Sequence, residues 1–513
     1  MKTCYLTKNR LYLFFLLTLI AIQSISQNLK IVKTGSGEIS GIESDHGVHI
    51  FKGIPFAAAP LGDLRWKAPQ PVAPWTGVRL CTAFGPSPMQ GKPIPFGMWT
   101  REFLIPKEPI SEDCLYLNVW TAAQSPKERR PVIVWIYGGG FVSGGSACPI
   151  YDGEAMARKG IVFVSINYRV GIFGFFAHPE LTRESGKNAS GNYALMDQLA
   201  ALQWVQKNIA AFGGDPINVT VAGQSAGSFC VNSLVASPLA KNLFHKAIGE
   251  SGASFSVSFP TLQEAEEEGL SIASFLHAPS LADLRKLPAE EILKAPIKVR
   301  GPIVDGYVLP QSVADIFAAG AENKVPLLTG WNEDEGFSNA KKAEDFKKEI
   351  EHTYGNDANQ FLKYYPASSD SIAAVSQLNL SRDQTFGSQN YAWAVLQSRQ
   401  LAQVFVYRFA RKLPAGKSPF AHHSAFHTGE VPYAYNNLGL VDRPWEPVDY
   451  KLAEIMSSYW ANFVATGDPN GNGLPTWPAF NSREKKVMIL KERSEAVTLP
   501  DADALDFLYK KLK

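Results

Sequence analysis

Cysteine is scarce in this chain, with five among 513 residues. Four lie beyond residue 26, namely Cys81, Cys114, Cys148 and Cys230. Their spacings match no metal-ligand pattern, which argues against a zinc ribbon or an iron–sulfur centre. A chain this long can bury a large core without covalent staples, so no disulfide is required even in an oxidising compartment. Charge of one sign is lacking too: 50 basic side chains face 48 acidic ones. That balance gives no reason to expect nucleic acid or an anionic membrane surface as a partner. Beyond residue 22 no apolar run is long enough to span a bilayer, and no repeat or low-complexity tract occurs.

The one long apolar run stands at the start. Lys2, Lys8 and Arg10 precede residues 11–22, and Ser24-Ile25-Ser26 offers small residues before Gln27. This predicts a secretory signal peptide over residues 1–26 and export to a periplasm or the medium. The alternative, an uncleaved anchor, has too short an apolar stretch. Cys4 precedes the run and is not placed for lipid attachment. Losing the three basic residues of this segment from the 50 leaves 47 against 48 acidic ones, so the balance persists.

Residues 27–513 show no composition shift that would mark a boundary and are read as one large domain. Apolar, β-rich runs recur at 132–137, 161–167, 218–222, 325–329 and 403–409. Between the second and third lies 193–212, helical in period and closed by Gly213-Gly214-Asp215-Pro216. Strands alternating with helices predict an α/β fold, a large mostly parallel sheet flanked by helices. The charged stretches 262–294 and 339–365 are expected to form a helical cap beside its active edge.

Gly223-Gln224-Ser225-Ala226-Gly227 has the form G-x-S-x-G, between a β-branched segment and a mostly apolar helix that carries Cys230 as a small hydrophobe. As a bare pattern it could be a Gly/Ser turn. In a strand–turn–helix it exposes a serine hydroxyl on a strained corner within reach of a base. Such a serine needs a histidine to take its proton and an acid to orient that histidine, both downstream in a sheet-based hydrolase. The downstream histidines are His245, His277, His352, His422, His423 and His427. His245 falls in a run, 242–249, that reads as helical, and His277 and His352 fall in the cap stretches. His422 and His423 are read as solvated loop residues. His427, in Ala425-Phe426-His427-Thr428-Gly429, follows strand 403–409 with small neighbours that let a ring project. For the acid, Glu333, Asp334 and Glu335 follow strand 325–329. At least two of them are expected to be carboxylates of a solvated turn, and spacing does not choose among the three. Upstream, Tyr137-Gly138-Gly139-Gly140-Phe141 follows a buried strand. Its glycine N–H groups, with that of Ala226, could hold a developing oxyanion.

At these residues the chain resembles the type-B carboxylesterases, relatives of the cholinesterases within the α/β-hydrolase fold. The resemblance extends through Phe51-Lys52-Gly53-Ile54-Pro55-Phe56-Ala57, Leu64-Arg65-Trp66, Glu112-Asp113-Cys114-Leu115-Tyr116-Leu117-Asn118-Val119, Asn167-Tyr168-Arg169-Val170-Gly171 and Asp334-Glu335-Gly336. It implies Ser225, Glu335 and His427 as the triad and Gly139, Gly140 and Ala226 as the oxyanion donors. It gives Ser251 a supporting place near the triad, and makes Arg65–Glu112 and Arg169–Asp197 structural ion pairs. Where the family has a disulfide partner for Cys114 stands Pro88, and Cys81 lies seven positions earlier, which leaves a shifted Cys81–Cys114 bridge open. No cysteine follows Cys230, so the family's later disulfides are missing. The spacing from Trp99 to Cys114 differs from that in cholinesterases, where a tryptophan of this loop stacks on choline. Trp99 is therefore read as a hydrophobic loop residue.

The sequence thus predicts a serine esterase acting on a small-molecule carboxylic ester, with neither metal nor organic cofactor implied. Phe141, Trp331 and Phe337 adjoin the catalytic blocks and are candidates for lining an apolar acyl or alcohol pocket, though each could equally be core. Two other readings stand beside this one. The first is a cholinesterase-like binding or adhesion protein without activity. The second lies within the enzymes: a lipase or a hydroxycinnamoyl (feruloyl-type) esterase.

Overall fold

Val132, Ile133, Val134, Trp135 and Ile136 have no solvent exposure, as expected of a strand covered on both faces by helices. The computed structural model describes residues 31–256, 259–299, 301–337, 339–400, 402–416 and 424–511. Residues 1–26, expected to be a signal peptide, and His422 and His423 lie outside them. Eleven strands form the main sheet among the described residues. In chain order they are β1 (Ile42–Glu43), β2 (His49–Pro55), β3 (Tyr116–Thr121), β4 (Arg130–Ile136), β5 (Val162–Ile166) and β6 (Gly214–Gln224). They continue with β7 (Lys246–Glu250), β8 (Leu327–Asn332), β9 (Val404–Phe409), β10 (Lys486–Leu490) and β11 (Glu495–Thr498). Across the sheet the order is β11-β10-β9-β8-β7-β6-β4-β5-β3-β2-β1. The pairs from β5 through β4, β6, β7, β8 and β9 to β10 are parallel, and the outer strands are antiparallel.

The predicted α/β architecture is present, with two differences of detail. Residues 242–249 do not form a helix: the last four of them enter β7, hydrogen-bonded to β6 on one side and β8 on the other. Five residues are too few to show a period, and the slot between two strands overrides helix propensity. The antiparallel margin β1 to β3 also carried no alternation strong enough to be read. The crossover helix α1 (Tyr193–Asn208) ends in a single 3₁₀ turn, Ile209–Phe212. Gly213 stops it at φ +79°, where a Cβ would stand 2.3 Å from that of Ala123.

The two expected ion pairs pin segments to this sheet. Arg169 Nε and Nη2 donate to Asp197 at 2.8 and 2.7 Å, and Arg65 Nε and Nη2 to Glu112 at 2.7 and 2.6 Å. Cys81, Cys114, Cys148 and Cys230 are all buried free thiols, so the shifted bridge is not formed. Burial pushes the Cys81 thiol up to about 11, which keeps it protonated and inert. No helix of the described residues is long and apolar enough to cross a membrane.

Candidate active site

Parallel strands deliver their C-terminal ends to one edge, and open α/β sheets place ligands outside that edge. The segments that follow β4, β6, β8 and β9 there carry the triple glycine, Ser225, the acidic cluster and His427.

Ser225 stands at φ +56°, ψ −128°, between β6 and the helix α2 (Ala226–Ala236). That backbone is strained for a residue with a side chain, and the flanking packing enforces it. A Cβ on Gly227 would come within 2.0 Å of the Ile136 carbonyl oxygen, and one on Gly223 within 2.6 Å of Gly227. The Ser225 N–H is fixed on the Glu250 carbonyl of β7 at 2.8 Å. The two glycines therefore let helix and strand close on each other, and the hydroxyl is what projects.

Ser225 Oγ lies 2.7 Å from His427 Nε2, and His427 Nδ1 lies 2.9 Å from Glu335 Oε2. The other oxygen of Glu335 accepts the Asn332 N–H at 2.8 Å. All three side chains come together as the sequence predicted, with Glu335 fully buried and His427 nearly so. The neighbouring acids, Glu333 and Asp334, form a partly exposed turn as expected, but each is also paired. Glu333 forms ion pairs with Arg408, 2.8 Å from Nε, and with Arg382 at 3.6 Å. Asp334 takes the Ala425 N–H at 3.0 Å, while its own N–H goes to the Ala425 carbonyl at 3.0 Å. The acid loop and the histidine loop are thus stitched together, a task invisible in a run of three carboxylates.

Gly139 and Gly140 adopt φ +129° and +60°. A Cβ on Gly139 would collide with the Ser143 carbonyl at 2.2 Å, whereas Gly140 faces open space. The Gly139 carbonyl accepts the Val142 and Ser143 N–H groups, so the turn is anchored from behind. Ser251 is buried at φ +54°, and its N–H is held by the Gly330 carbonyl at 2.9 Å. Its hydroxyl has no hydrogen-bond partner among the described residues and bonds to none of Ser225, Glu335 and His427.

A cavity of about 840 Å³ opens over Ser225 and His427, bounded by the triple glycine and by apolar side chains such as Phe96, Trp99, Ile105, Ile172, Phe337 and Phe386. Its wall matches one of the three aromatic candidates. Phe337 lines it, half exposed. Trp331 is fully buried under the Arg408 guanidinium, since it still belongs to β8 and points into the core. Phe141 packs edge-on against Phe175 and Phe229, away from the lining. Of the two cap stretches, 262–294 and its continuation reach the cavity through Leu293, Ala295 and Ile297. The stretch 339–365 supplies no lining residue and packs outside, on the helix α3 (Asp370–Arg382), through Lys341–Gln377 and Ala343–Asp370 hydrogen bonds.

Two residues at the site were missed. Phe386 lies in the π-helical turn Asp383–Gly387 and stacks on the His427 ring, centroids 4.5 Å apart. Trp99, read as a plain loop residue, is part of the wall and donates its Nε1–H to Thr428 Oγ1 at 3.2 Å. The Pro- and Gly-rich surroundings of Trp99 signal a loop but not where it folds, and nothing in 370–398 sets Phe386 apart from the other apolar helix residues.

Behind the triad lie two further carboxyls. Glu250 Oε1 accepts from Trp460 Nε1 at 2.8 Å and from the Tyr435 hydroxyl at 3.0 Å, and Glu430 accepts from Asn332 Nδ2. Both are fully buried, and loss of water pushes both carboxyls up, Glu250 to about 7 and Glu430 well above the carboxylate range.

A mostly parallel sheet with a serine on a tight strand–helix turn at its C-terminal edge makes this protein an α/β-hydrolase. The family model for the carboxylesterase family matches residues 28–508, and the chain belongs to that family. It is 37% identical to fumonisin B1 esterase of Sphingopyxis macrogoltabida, an alignment covering 91% of this chain and 87% of that protein. It is 35% identical to para-nitrobenzyl esterase of Bacillus subtilis (strain 168), covering 94% and 98%. A solved structure of PNB esterase superposes with a TM-score of 0.80 at 34% identity, over 92% of this chain and 98% of that one. The protein is a carboxylic ester hydrolase of the serine type.

Proposed function

We propose that Ser225 is the nucleophile, His427 the base and Glu335 the group that orients it. Ser225 Oγ attacks the ester carbonyl carbon while His427 Nε2 takes the hydroxyl proton, and Glu335 stabilises the imidazolium through Nδ1–H. The carbonyl oxygen, now negative, is held by the N–H groups of Gly139, Gly140 and Ala226. His427 returns the proton to the leaving alcohol, leaving an acyl-Ser225 ester. Water, deprotonated by His427, then releases the acid and restores the serine. The observation that carries this reading is the continuous line from Ser225 Oγ to Nε2 at 2.7 Å and from Nδ1 to Glu335 at 2.9 Å.

The substrate is an uncharged carboxylic ester with a bulky apolar group. The cavity volume suits such a group, and besides His427 the one described lining side chain that carries a charge near neutral pH is Lys92, exposed beside Glu108. The name of the Bacillus relative makes a para-nitrobenzyl ester the first one to try. Residues 1–26 act as a signal peptide, which a secreted product beginning at Gln27 would support.

A fluorophosphonate probe tests the residue assignment. One equivalent should attach, with the modified peptide containing Ser225. Absence of labelling, or labelling elsewhere, overturns it.

A further inference from the structure

The segment 94–105 has two faces with different partners. One walls the cavity through Ile94, Phe96, Trp99, Leu104 and Ile105, and Phe103 reaches the cavity as well. The other grips the loop that carries His427. Ser424 Oγ donates to Met98 Sδ at 3.5 Å, at the start of that loop. The Phe103 and Phe426 rings meet edge-on at 5.5 Å. Trp99 closes the grip from the far side, donating to Thr428 Oγ1 at 3.2 Å and lying edge-on to the His427 ring at 6.4 Å. Thr428 holds φ +80°, a conformation costly for a β-branched residue and therefore one that needs outside support. Trp99 is itself braced by stacking on Phe337 at 6.1 Å and by the tilted ring of Phe96 at 4.8 Å.

We infer that Trp99 is a positioning residue for the base: its indole N–H, through Thr428 Oγ1, holds the His427 ring in line with Ser225. This rests on the roles proposed above for Ser225 and His427. The Trp99 ring is wall and strut together, so the surface that receives the substrate's apolar group also sets the reach of the base. The hydrogen bond acts on the chemical step rather than on substrate capture. Its loss lets the 427–428 turn relax and lengthens the Nε2–Oγ distance, while the wall keeps its apolar surface.

The test pairs the two partners. Trp99→Phe keeps an aromatic wall and removes the donor; Thr428→Val keeps the shape and removes the acceptor. Each should lower kcat about fivefold, the worth of one neutral hydrogen bond, with KM close to that of the unaltered enzyme. The double variant should be no slower than either single one, because both remove the same bond. Thr428→Ser, which keeps the hydroxyl, should restore kcat. Matching thermal midpoints show that the variants are folded, and Thr428→Val alone decides the matter if Trp99→Phe is not. A kcat unchanged in Thr428→Val, losses that multiply in the double variant, or losses confined to KM would overturn the inference. Fluorophosphonate labelling of the unaltered enzyme separates the two claims. If Ser225 is labelled while these kinetics fail, only the role of Trp99 falls; if Ser225 is not labelled, the proposed roles of Ser225 and His427 fall first.

Discussion

The phenyl ring of Phe386 lies face to face with the imidazole of His427, with centroids 4.5 Å and planes 18° apart. A π-helical turn aims it there, and the turn is held by Asp383, which pairs with Arg382 Nε at 2.7 Å and accepts from the Tyr365 hydroxyl at 2.9 Å. Stacking fixes the ring plane and gives the imidazolium of the transition state an aromatic face. Phe386→Leu should lower kcat about two- to tenfold, the range expected for one aromatic pair, and Phe386→Tyr should lower it less. Steady-state kinetics on a single aryl ester decide it.

Glu335→Gln should fold normally and lose activity on the order of a thousandfold or more. The amide oxygen can still accept the Asn332 N–H, but its NH₂ would face His427 Nδ1 and impose the wrong tautomer. Unchanged turnover in this variant would move the orienting role to another acid, and Asp334 is the neighbour to examine next.

The elbow glycine Gly227 and the oxyanion glycine Gly140 should differ in kind. Gly227→Ala pushes a Cβ onto the Ile136 carbonyl and should cost about 3 kcal/mol or more of stability. Gly140→Ala meets no atom within 4 Å and should cost about 1 kcal/mol, from its positive φ alone. Chemical denaturation of the two variants beside the parent measures both.

Glu250 supplies a pH dependence. Burial raises its carboxyl to about 7, above the value of an exposed glutamate, so the folded chain holds a proton that the unfolded chain releases. Stability therefore falls as pH climbs through the carboxylate range toward 7 and levels off above it. Glu430, Tyr407 and Tyr435 face the same pocket; Glu430 raises the cost of a second charge, while the Tyr435 hydroxyl and Trp460 N–H offset part of it. Glu250→Gln keeps an acceptor for both donors. It should gain stability over the parent as pH rises from 5 to 8, by about 3 kcal/mol at most. Thermal midpoints at the two pH values check it, and a constant difference would contradict it.

Much of this was legible in sequence because its causes are local. A glycine on each side of Ser225 is demanded by backbone atoms a few residues away, and β-branched runs announce strands buried on both faces. The identity of the acid was not local. Glu333, Asp334 and Glu335 differ only in which loop lies opposite, and that depends on the return of the chain from β9 some ninety residues later. The resemblance chose Glu335, and the geometry then gave its two neighbours work of their own. Pocket and core stayed equally open for Trp331 and Phe141 because proximity in sequence says nothing of which side of a strand or turn a ring takes. Trp99 and Phe386 were lost for the converse reason: each comes from a distant segment and acquires its partner only when the loops meet over His427.

The central claim is that an acyl group resides on Ser225 during turnover. Rapid mixing with a slowly deacylating aryl ester, quenching and peptide mass analysis test it directly. The account predicts a burst of about one equivalent of alcohol and an acyl adduct on the peptide containing Ser225, both absent from Ser225→Ala. Hydrolysis that proceeds at full rate in Ser225→Ala, or an adduct on any other residue, would contradict it.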